Sequence, residues 1–560
     1  MRKSLMKRAE IKTILDALTA DIDVITDPKT SSILRTLLNL VEVLADENAA
    51  QQSTIQKLND EINRLKGEQG KPDIRKQSTD HSSEDNRKNH DNKKPRKPKV
   101  KKKETVKIDR KIVCNIDLNT LPLDVISKGH ETRVMQDIMI STDNIEFSLS
   151  VYYSPSLKKT FTASLPDGYY GEFGPGIRTL VLTLYRDSGM TQPAIERFLV
   201  TFGIEISSST ISRMITENHD VFHQEKEAII TAGLQSTPYH HIDDTSCRVN
   251  GKNHYTHIVC NPYFAAYFTR KKKDRLTLLD ILCRDELKFQ MNHDAYALMS
   301  DFGLSKKCLD ALQSIVYKES MTRQELDDLL LQLFPNPKKH KTNRRIIHEA
   351  SAITYYRISE FAIKYLICDD APQFNKIAQY KSLCWIHEGR HYKKLTAIFA
   401  THQKLLDNVI EQFWDYYHAL LDYQLSSSDI KAKELSRGFD TLFSRKTGYD
   451  ALDKRLALTL NKKQSLLLVL ASPFLPLQNN PAELGARVQT RMRDINLQTV
   501  SENGTKAKDT FTTIVQTSKK LGVNIYDYIY DRISNKFAMT SLAHLINEKS
   551  SNYLVTPNPI

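Results

Sequence analysis

A chain of 560 residues is too long for one compact core and predicts about three or four domains. Lysine and arginine outnumber aspartate and glutamate, 80 to 67, a balance that suits a polyanionic partner without proving one. Seven scattered cysteines with no CxxC pair argue against a disulfide framework and for a reducing compartment. With no apolar run of membrane-spanning length and no secretory signal, the expected location is the cytoplasm, without a membrane partner.

Residues 1–30 read as a helical segment. From Ser31 to residue 66 a heptad repeat follows, with Leu34, Val41, Asn48, Ile55 and Ile62 in one series and Leu37, Leu44, Gln51, Leu58 and Leu65 in the other. Mostly Ile or Val at a and Leu at d suits a parallel leucine-zipper coiled coil, with Asn48 fixing its register. The expected partner is a second copy of the chain, in a homodimer or higher oligomer; the alternative is an amphipathic helix packed on its own chain. Residues 67–112 lack apolar periodicity and read as a basic disordered linker. Lysines and arginines crowd Lys93–Lys103, and Lys97, Lys99, Lys101 and Lys102 are candidates to lie along a phosphate backbone; a solvated tether fits equally well.

Residues 113–170 predict a small β unit: a strand Ile138–Ser141, a Thr-Asp-Asn turn, then alternation through Ile145, Phe147, Leu149, Val151 and Tyr153. Within 171–230 the period becomes helical. Thr191 caps a helix carrying Ile195, Phe198, Leu199 and Phe202 on one face, Gly203 ends it in the left-handed region, and Ser207 or Ser208 caps the next. In that second helix Ile211, Met214 and Ile215 face inward, while Ser209, Thr210, Ser212 and Arg213 face outward. The pattern predicts a helix-turn-helix whose polar face contacts DNA; a helical hairpin without DNA contact is the plainer reading.

Residues 231–500 predict an α/β core. Strands are expected at Tyr239–Asp243, at Cys247–Val249 turning at Gly251 into His254–Cys260, and at Tyr263–Thr269, followed by a helix with Leu276, Leu279 and Leu282. Antiparallel strands leading into a helix, with an aspartate on the first, open a ribonuclease H-like fold. Strand alternation sends Asp243 and Asp244 to opposite faces, so only one serves a given site; His240 and His241 are supporting hydrogen-bond partners. Helical insertions are expected at about 286–360 and 395–470, from their periodicity.

Between the insertions, the stretch Leu366–Leu395 presents strand, acid, strand and basic helix. An apolar run, Ala362–Ile367, ends in Asp369-Asp370, and a second, Leu383–Ile386, leads to a helix offering Arg390, Lys393 and Lys394 to phosphate. A carboxylate at a strand end is where a divalent cation can meet a phosphodiester. Asp301 resembles such an acid, but Asn292–Asp294 breaks the strand before it, and it is set aside. Further on, Asn480 is the expected N-cap and Pro481 the first helical residue, with Glu483 in the first turn and Arg487 and Arg491 following on one face. Glu483 then reads as a metal ligand and the arginines as phosphate contacts, against an ordinary i,i+4 ion pair. Residues 501–560 are helical, with Lys508–Leu521 ended by Gly522 and Asn524–Ile533 after it. The expected fold class is multidomain and mainly α, with an α/β catalytic core.

These blocks, in this order, resemble the insertion-sequence 66 family of bacterial transposases, the large "C" protein of those elements, related to other DDE transposases and retroviral integrases. The resemblance rests on the zipper, the helix-turn-helix, HIDDT with RVNGKNHYTHIVCNP, CDDAPQF with LCWIHEGRHYKKL, LPLQNNPAEL and KAKDTFTTIVQTSKKLGVNIYDYI. It implies a metal-dependent enzyme that binds terminal inverted repeats, cleaves DNA strands and joins them to a target. It implies catalytic and metal-binding acids at Asp243, Asp369 and Glu483, and magnesium as cofactor, with manganese as a substitute. Its Cys-Trp-x-His motif falls on Cys384, Trp385 and His387, so Cys384 and His387 join Asp244 and Asp370 as supporting residues. Helper proteins from the same element, and a bacterial cytoplasm with nucleoid association on DNA, are implied too. Many members carry a cysteine-rich zinc segment before the helix-turn-helix; only Cys114 stands there, so no zinc is expected. Cys384, His387 and His391 have loose ligand spacing, but at a strand end and helix start they are expected to pack rather than bind zinc. Where the family commonly has glycine after its second acid this chain has Asp370, so Asp369 and Asp370 both stay open. The rival readings are an inactive DNA-binding regulator or relic, and a nuclease of the same fold that cuts without joining.

Overall fold

The computed structural model describes residues 27–65, 107–117, 122, 126, 131–138 and 140–555. Most of the 1–30 segment, and Lys97, Lys99, Lys101 and Lys102, lie outside these residues. No helix among the described residues is long and apolar enough to cross a membrane.

Helix α1, Pro28–Leu65, carries the heptad repeat. Asn39 and Glu42, at neither of its apolar positions, are its buried contacts. Asn39 donates to the Gly448 carbonyl at 3.2 Å and accepts the Asp450 N–H at 3.2 Å, and Glu42 accepts the Ile398 N–H at 2.9 Å and faces His402 at 3.2 Å. The stripe of Leu37, Val41, Leu44, Ile55, Leu58 and Ile62 is left exposed. One face of α1 is thus used on its own chain, and the apolar stripe is a different face.

In the next segment, strands β1 (Val151–Ser154) and β2 (Lys159–Thr162) form an antiparallel hairpin. The expected strands at Ile138–Ser141 and Ile145–Leu149 do not form among the described residues. Alternation there is genuine, but no neighbouring strand supplies the ladder that would hold it. Helices α2 (Pro175–Arg186), α3 (Gln192–Thr201) and α4 (Ser208–Thr216) follow. Thr191 and Ser207 cap α3 and α4 through their side chains, and Gly203 turns between them at φ +76°. Val181, Ile195, Leu199, Ile206, Ile211 and Ile215 bury one another, so the inward face is as the sequence predicts. Met214 is only partly buried at its edge. Ser209 and Arg213 are exposed, and Thr210 and Ser212 are partly so.

After helix α5 (Asp220–Gln235) comes the central sheet: β3 (Tyr239–Val249), β4 (Lys252–Cys260), β5 (Ala265–Arg270), β6 (Tyr365–Cys368) and β7 (Tyr380–Leu383). Its order is β5-β4-β3-β6-β7, antiparallel through β3 and parallel from β3 to β7. β3 runs unbroken through Asp243 to the Asn250-Gly251 turn, both of whose residues have positive φ. Helices α6 (Arg275–Cys283), α7 (His293–Asp301), α8 (Lys306–Gln313), α9 (Arg323–Leu333) and α10 (Lys341–Arg357) lie between β5 and β6 and build much of the first core. Asp301 ends α7, a helix rather than a strand, and pairs with Lys376 at 3.1 Å.

The run Leu383–Ile386 is not a strand. β7 stops at Leu383, Cys384 is the N-cap, and helix α11 (Trp385–Lys393) has begun. The fully buried Trp385 ring sets this early start, its indole N–H donating to the Leu466 carbonyl at 2.9 Å inside a second core. That core is completed by α12 (Ala400–Leu425), α13 (Asp429–Phe443), α14 (Asp450–Leu460), α15 (Lys463–Leu466) and α16 (Leu468–Ala471). Gly389 lets α11 approach α12, since a Cβ there would stand 2.8 Å from the Trp414 ring and 2.9 Å from Phe413. Beside it the buried Glu388 gathers Arg455, the Thr459 hydroxyl (2.5 Å) and Lys462 (3.1 Å). Helix α17 (Asn480–Asn496) packs on β3 and β4, and α18 (Glu502–Leu521) on β5, where Asp509 accepts the Thr269 N–H at 2.5 Å. Gly522 ends α18 at φ +72°, and α19 (Ile525–Ile533) and α20 (Leu542–Val555) follow.

Candidate active site

The site is built by strand register. The last matched pair of the parallel β3–β6 ladder is His241 with Ile367. Two residues further along each strand stand Asp243 and Asp369, so both carboxylates leave the same face of neighbouring strands, whose backbones are about 4.8 Å apart. Asp369 accepts the Ala371 N–H at 3.0 Å and Asp243 the Asp244 N–H at 2.8 Å, which fixes both side chains.

Helix α17 brings the third acid. Its N-cap is Asn479 rather than Asn480, and the Asn479 side chain makes no cap bond. Instead it donates to the Ile242 carbonyl at 2.8 Å and accepts from His241 at 3.1 Å, tying the helix start to β3 beside Asp243. Gly485 lets α17 lie low on the sheet, because a Cβ there would meet Ile258 at 3.0 Å and the Tyr267 hydroxyl at 3.1 Å. Glu483 therefore points toward the strand ends. Both terminal nitrogens of the Arg390 guanidinium donate to Oε2 at 3.1 Å, and His387 Nδ1 lies 3.5 Å from Oε1. The alternative Glu483–Arg487 ion pair does not form among the described residues; Arg487 and Arg491 are exposed, as are Lys393 and Lys394 at the end of α11.

The neighbouring acids are otherwise engaged. Asp244 turns to the opposite face, where Gln373 donates to it at 2.8 Å and Lys273 stands at 3.6 Å. Asp370 is bound by Lys462 at 2.7 Å and Lys381 at 3.2 Å. Desolvation pushes its carboxyl upward, but hydrogen bonds and charge from these two lysines hold it below the usual value. His240 bonds the Gly233 carbonyl at 3.2 Å, and desolvation pushes His240 and His241 down to about 4 and about 3, so both are neutral supports. Sequence reasoning missed Asn479, Lys381 and Lys462; only the N-P pair near Asn479 carried any signal.

Asp243 is pushed up to about 7, first by burial and then by the Asp369, Asp244 and Glu483 carboxylates around it, against the Asp244 N–H bond that lowers it. Repelling acids in a poorly solvated pocket are a donor set suited to a divalent cation, and the buried Glu483 Oε1 has no hydrogen-bond partner. The raised value has a definite sign. Between its unfolded value, 3.8, and about 7 the folded chain holds one proton more than the unfolded one, so metal-free stability falls as pH rises through that window. The expected loss is at most about 4 kcal/mol. Asp243→Asn should flatten this slope in thermal melts, and divalent-cation affinity by calorimetry should tighten up to about pH 7 and then level.

Residues 171–310 match the family described as Transposase IS66 family. The chain contains an IS66-family transposase domain. The matched span runs from α2 into α8 and includes β3 with Asp243, while Asp369 and Glu483 lie beyond it. An uncharacterized protein, y4jO of Sinorhizobium fredii, is 27% identical over 335 residues, 58% of this chain and all of the relative. IS66-family membership of this domain supports a transposase function, with DNA as the partner and a divalent metal as the class of cofactor.

Proposed function

We propose that the chain is a DDE transposase of a bacterial insertion sequence, cleaving at the element's terminal inverted repeats and joining the freed ends to target DNA. The observation that carries this reading is the β3–β6 register, which sets Asp243 beside Asp369 with Glu483 leaning in from α17. The sheet order, three antiparallel strands and then two parallel ones, supports a ribonuclease H-like core. Of the two adjacent acids, Asp369 is the second member of the triad, because Asp370 is held by Lys462 and Lys381. Asp243, Asp369 and Glu483 would hold magnesium, or manganese in its place, which supplies a water of lowered pKa and neutralises charge on the reacting phosphate. Arg390, Lys393 and Lys394 on α11, with Arg487 and Arg491 on α17, lie on the two helices flanking the acids and orient the phosphate backbone. Ser209, Thr210, Ser212 and Arg213 on α4 form the face that meets the terminal repeat.

Labelled element ends incubated with the purified chain and magnesium should give nicked ends and then joined products. Cutting without joining would make the chain a nuclease, and end binding without cutting a regulator or relic. The α1 stripe supports a second copy of the chain as partner, since apolar residues repeating at heptad spacing and left in water suit a second identical helix. Leu44→Glu with Leu58→Glu should halve the mass seen by light scattering; an unchanged oligomer would place the contact elsewhere.

A further inference from the structure

Cys384 caps α11, His387 lies one turn on, and Glu483 faces both from the first turn of α17. One donor atom from each, a thiol sulfur, a ring nitrogen and a carboxylate oxygen, all lie within 4.8 Å of one another. Two atoms at this junction, His387 Nδ1 and Glu483 Oε1, are buried without a hydrogen-bond partner and stand 3.5 Å apart. Buried polar atoms are almost always satisfied, and this facing pair, with no hydrogen bond and only an ion-pair contact to one another, offers two donor atoms to a cation. Magnesium does not suit this set, because it takes oxygen donors and keeps its waters. One sulfur, one nitrogen and one oxygen is the donor set of a zinc-class cation with a fourth position open. A coordinated thiol is deprotonated outright, and the Asn479 N–H, 3.2 Å from the Cys384 sulfur, would stabilise the thiolate. His391, with similar spacing in sequence, is not a member of the group.

We propose that Cys384, His387 and Glu483 form a zinc-class cation site that competes with the acid triad for Glu483. A cation drawing Oε1 toward Cys384 and His387 takes that carboxylate from Asp243 and Asp369, so zinc occupancy and magnesium-dependent cleavage exclude each other. The competition rests on the transposase reading of Glu483; the binding itself does not.

Cobalt(II) added to the full chain is the direct probe. One equivalent per chain should give a thiolate-to-cobalt charge-transfer band, bleached by zinc. Cys384→Ser should abolish the band, and His387→Gln should weaken cobalt binding about tenfold or more. Cys114→Ser, at an exposed cysteine away from the site, should keep it. Circular dichroism establishes that each variant folds, and His387→Gln serves alone if Cys384→Ser does not. No band in the wild type, or a band that survives Cys384→Ser, overturns the site. In the second arm, zinc should suppress magnesium-supported cleavage by the wild type, while Cys384→Ser keeps its own zinc-free rate. Stoichiometric binding that leaves cleavage untouched overturns the competition. A chain that never cleaves refutes the transposase reading instead, and the cobalt spectrum then decides the site by itself.

Discussion

Asp369→Asn should lower metal-dependent strand cleavage about a thousandfold or more while leaving binding to element ends unchanged. The substitution is nearly isosteric, and the new amide oxygen can still accept the Ala371 N–H that holds Asp369 in place at 3.0 Å. What is lost is the negative charge beside Asp243. Withdrawing about 4 kcal/mol of cation-mediated stabilisation from the transition state corresponds to about a thousandfold in rate. The neighbouring variant is the control. Asp370→Asn loosens contacts with Lys462 and Lys381 at a part-exposed carboxylate, so it should cost about 1 kcal/mol or less and retain most cleavage. Gel-shift binding and single-turnover cleavage on the same labelled ends distinguish the two; if Asp370→Asn is the dead variant, the assignment is reversed.

Glu388→Ala should destabilise the chain by about 3–5 kcal/mol in denaturant melts. Its carboxylate is almost wholly enclosed and is shared by Arg455, Thr459 and Lys462. Removing it leaves the Arg455 guanidinium, itself mostly buried, without its counter-ion, and an uncompensated buried charge costs more than the pair contributes. Lys462 also reaches Asp370, so the loss should propagate to the end of β6. A melt unchanged by Glu388→Ala would mean that water replaces the carboxylate at no cost.

Features fixed by neighbours in sequence were legible. Thr191, Ser207, Gly203 and Gly522 each act across a few residues, and each does what its residue type predicts. The strand end before the Asp369-Asp370 pair was legible too, because an apolar run stopping at an acid is a local signal, whereas β3 continues past Asp243 to Val249 and does not end where the sequence suggests. The long-range choices were not. Arg390 reaches Glu483 across 93 residues and displaces the Arg487 that helix spacing favours. Which of Asp369 and Asp370 is free depends on Lys462, a residue of the helical insertion with no pattern to mark it. The cap at Asn479 was misplaced by one residue because its side chain serves β3 instead of its own helix. Alternation at Ile145–Leu149 failed for the opposite reason: the local pattern is right, but a strand needs a neighbour.

Helix α1 grips the body of the chain at Asn39 and Glu42, with Glu42 reaching backbone 356 residues away. Were its outward stripe to mate with an identical helix, the two bodies would be yoked by a stiff rod. The gap between the two reaction centres, and hence the span of DNA they can bridge, would then be set by the angle at which α1 leaves that grip.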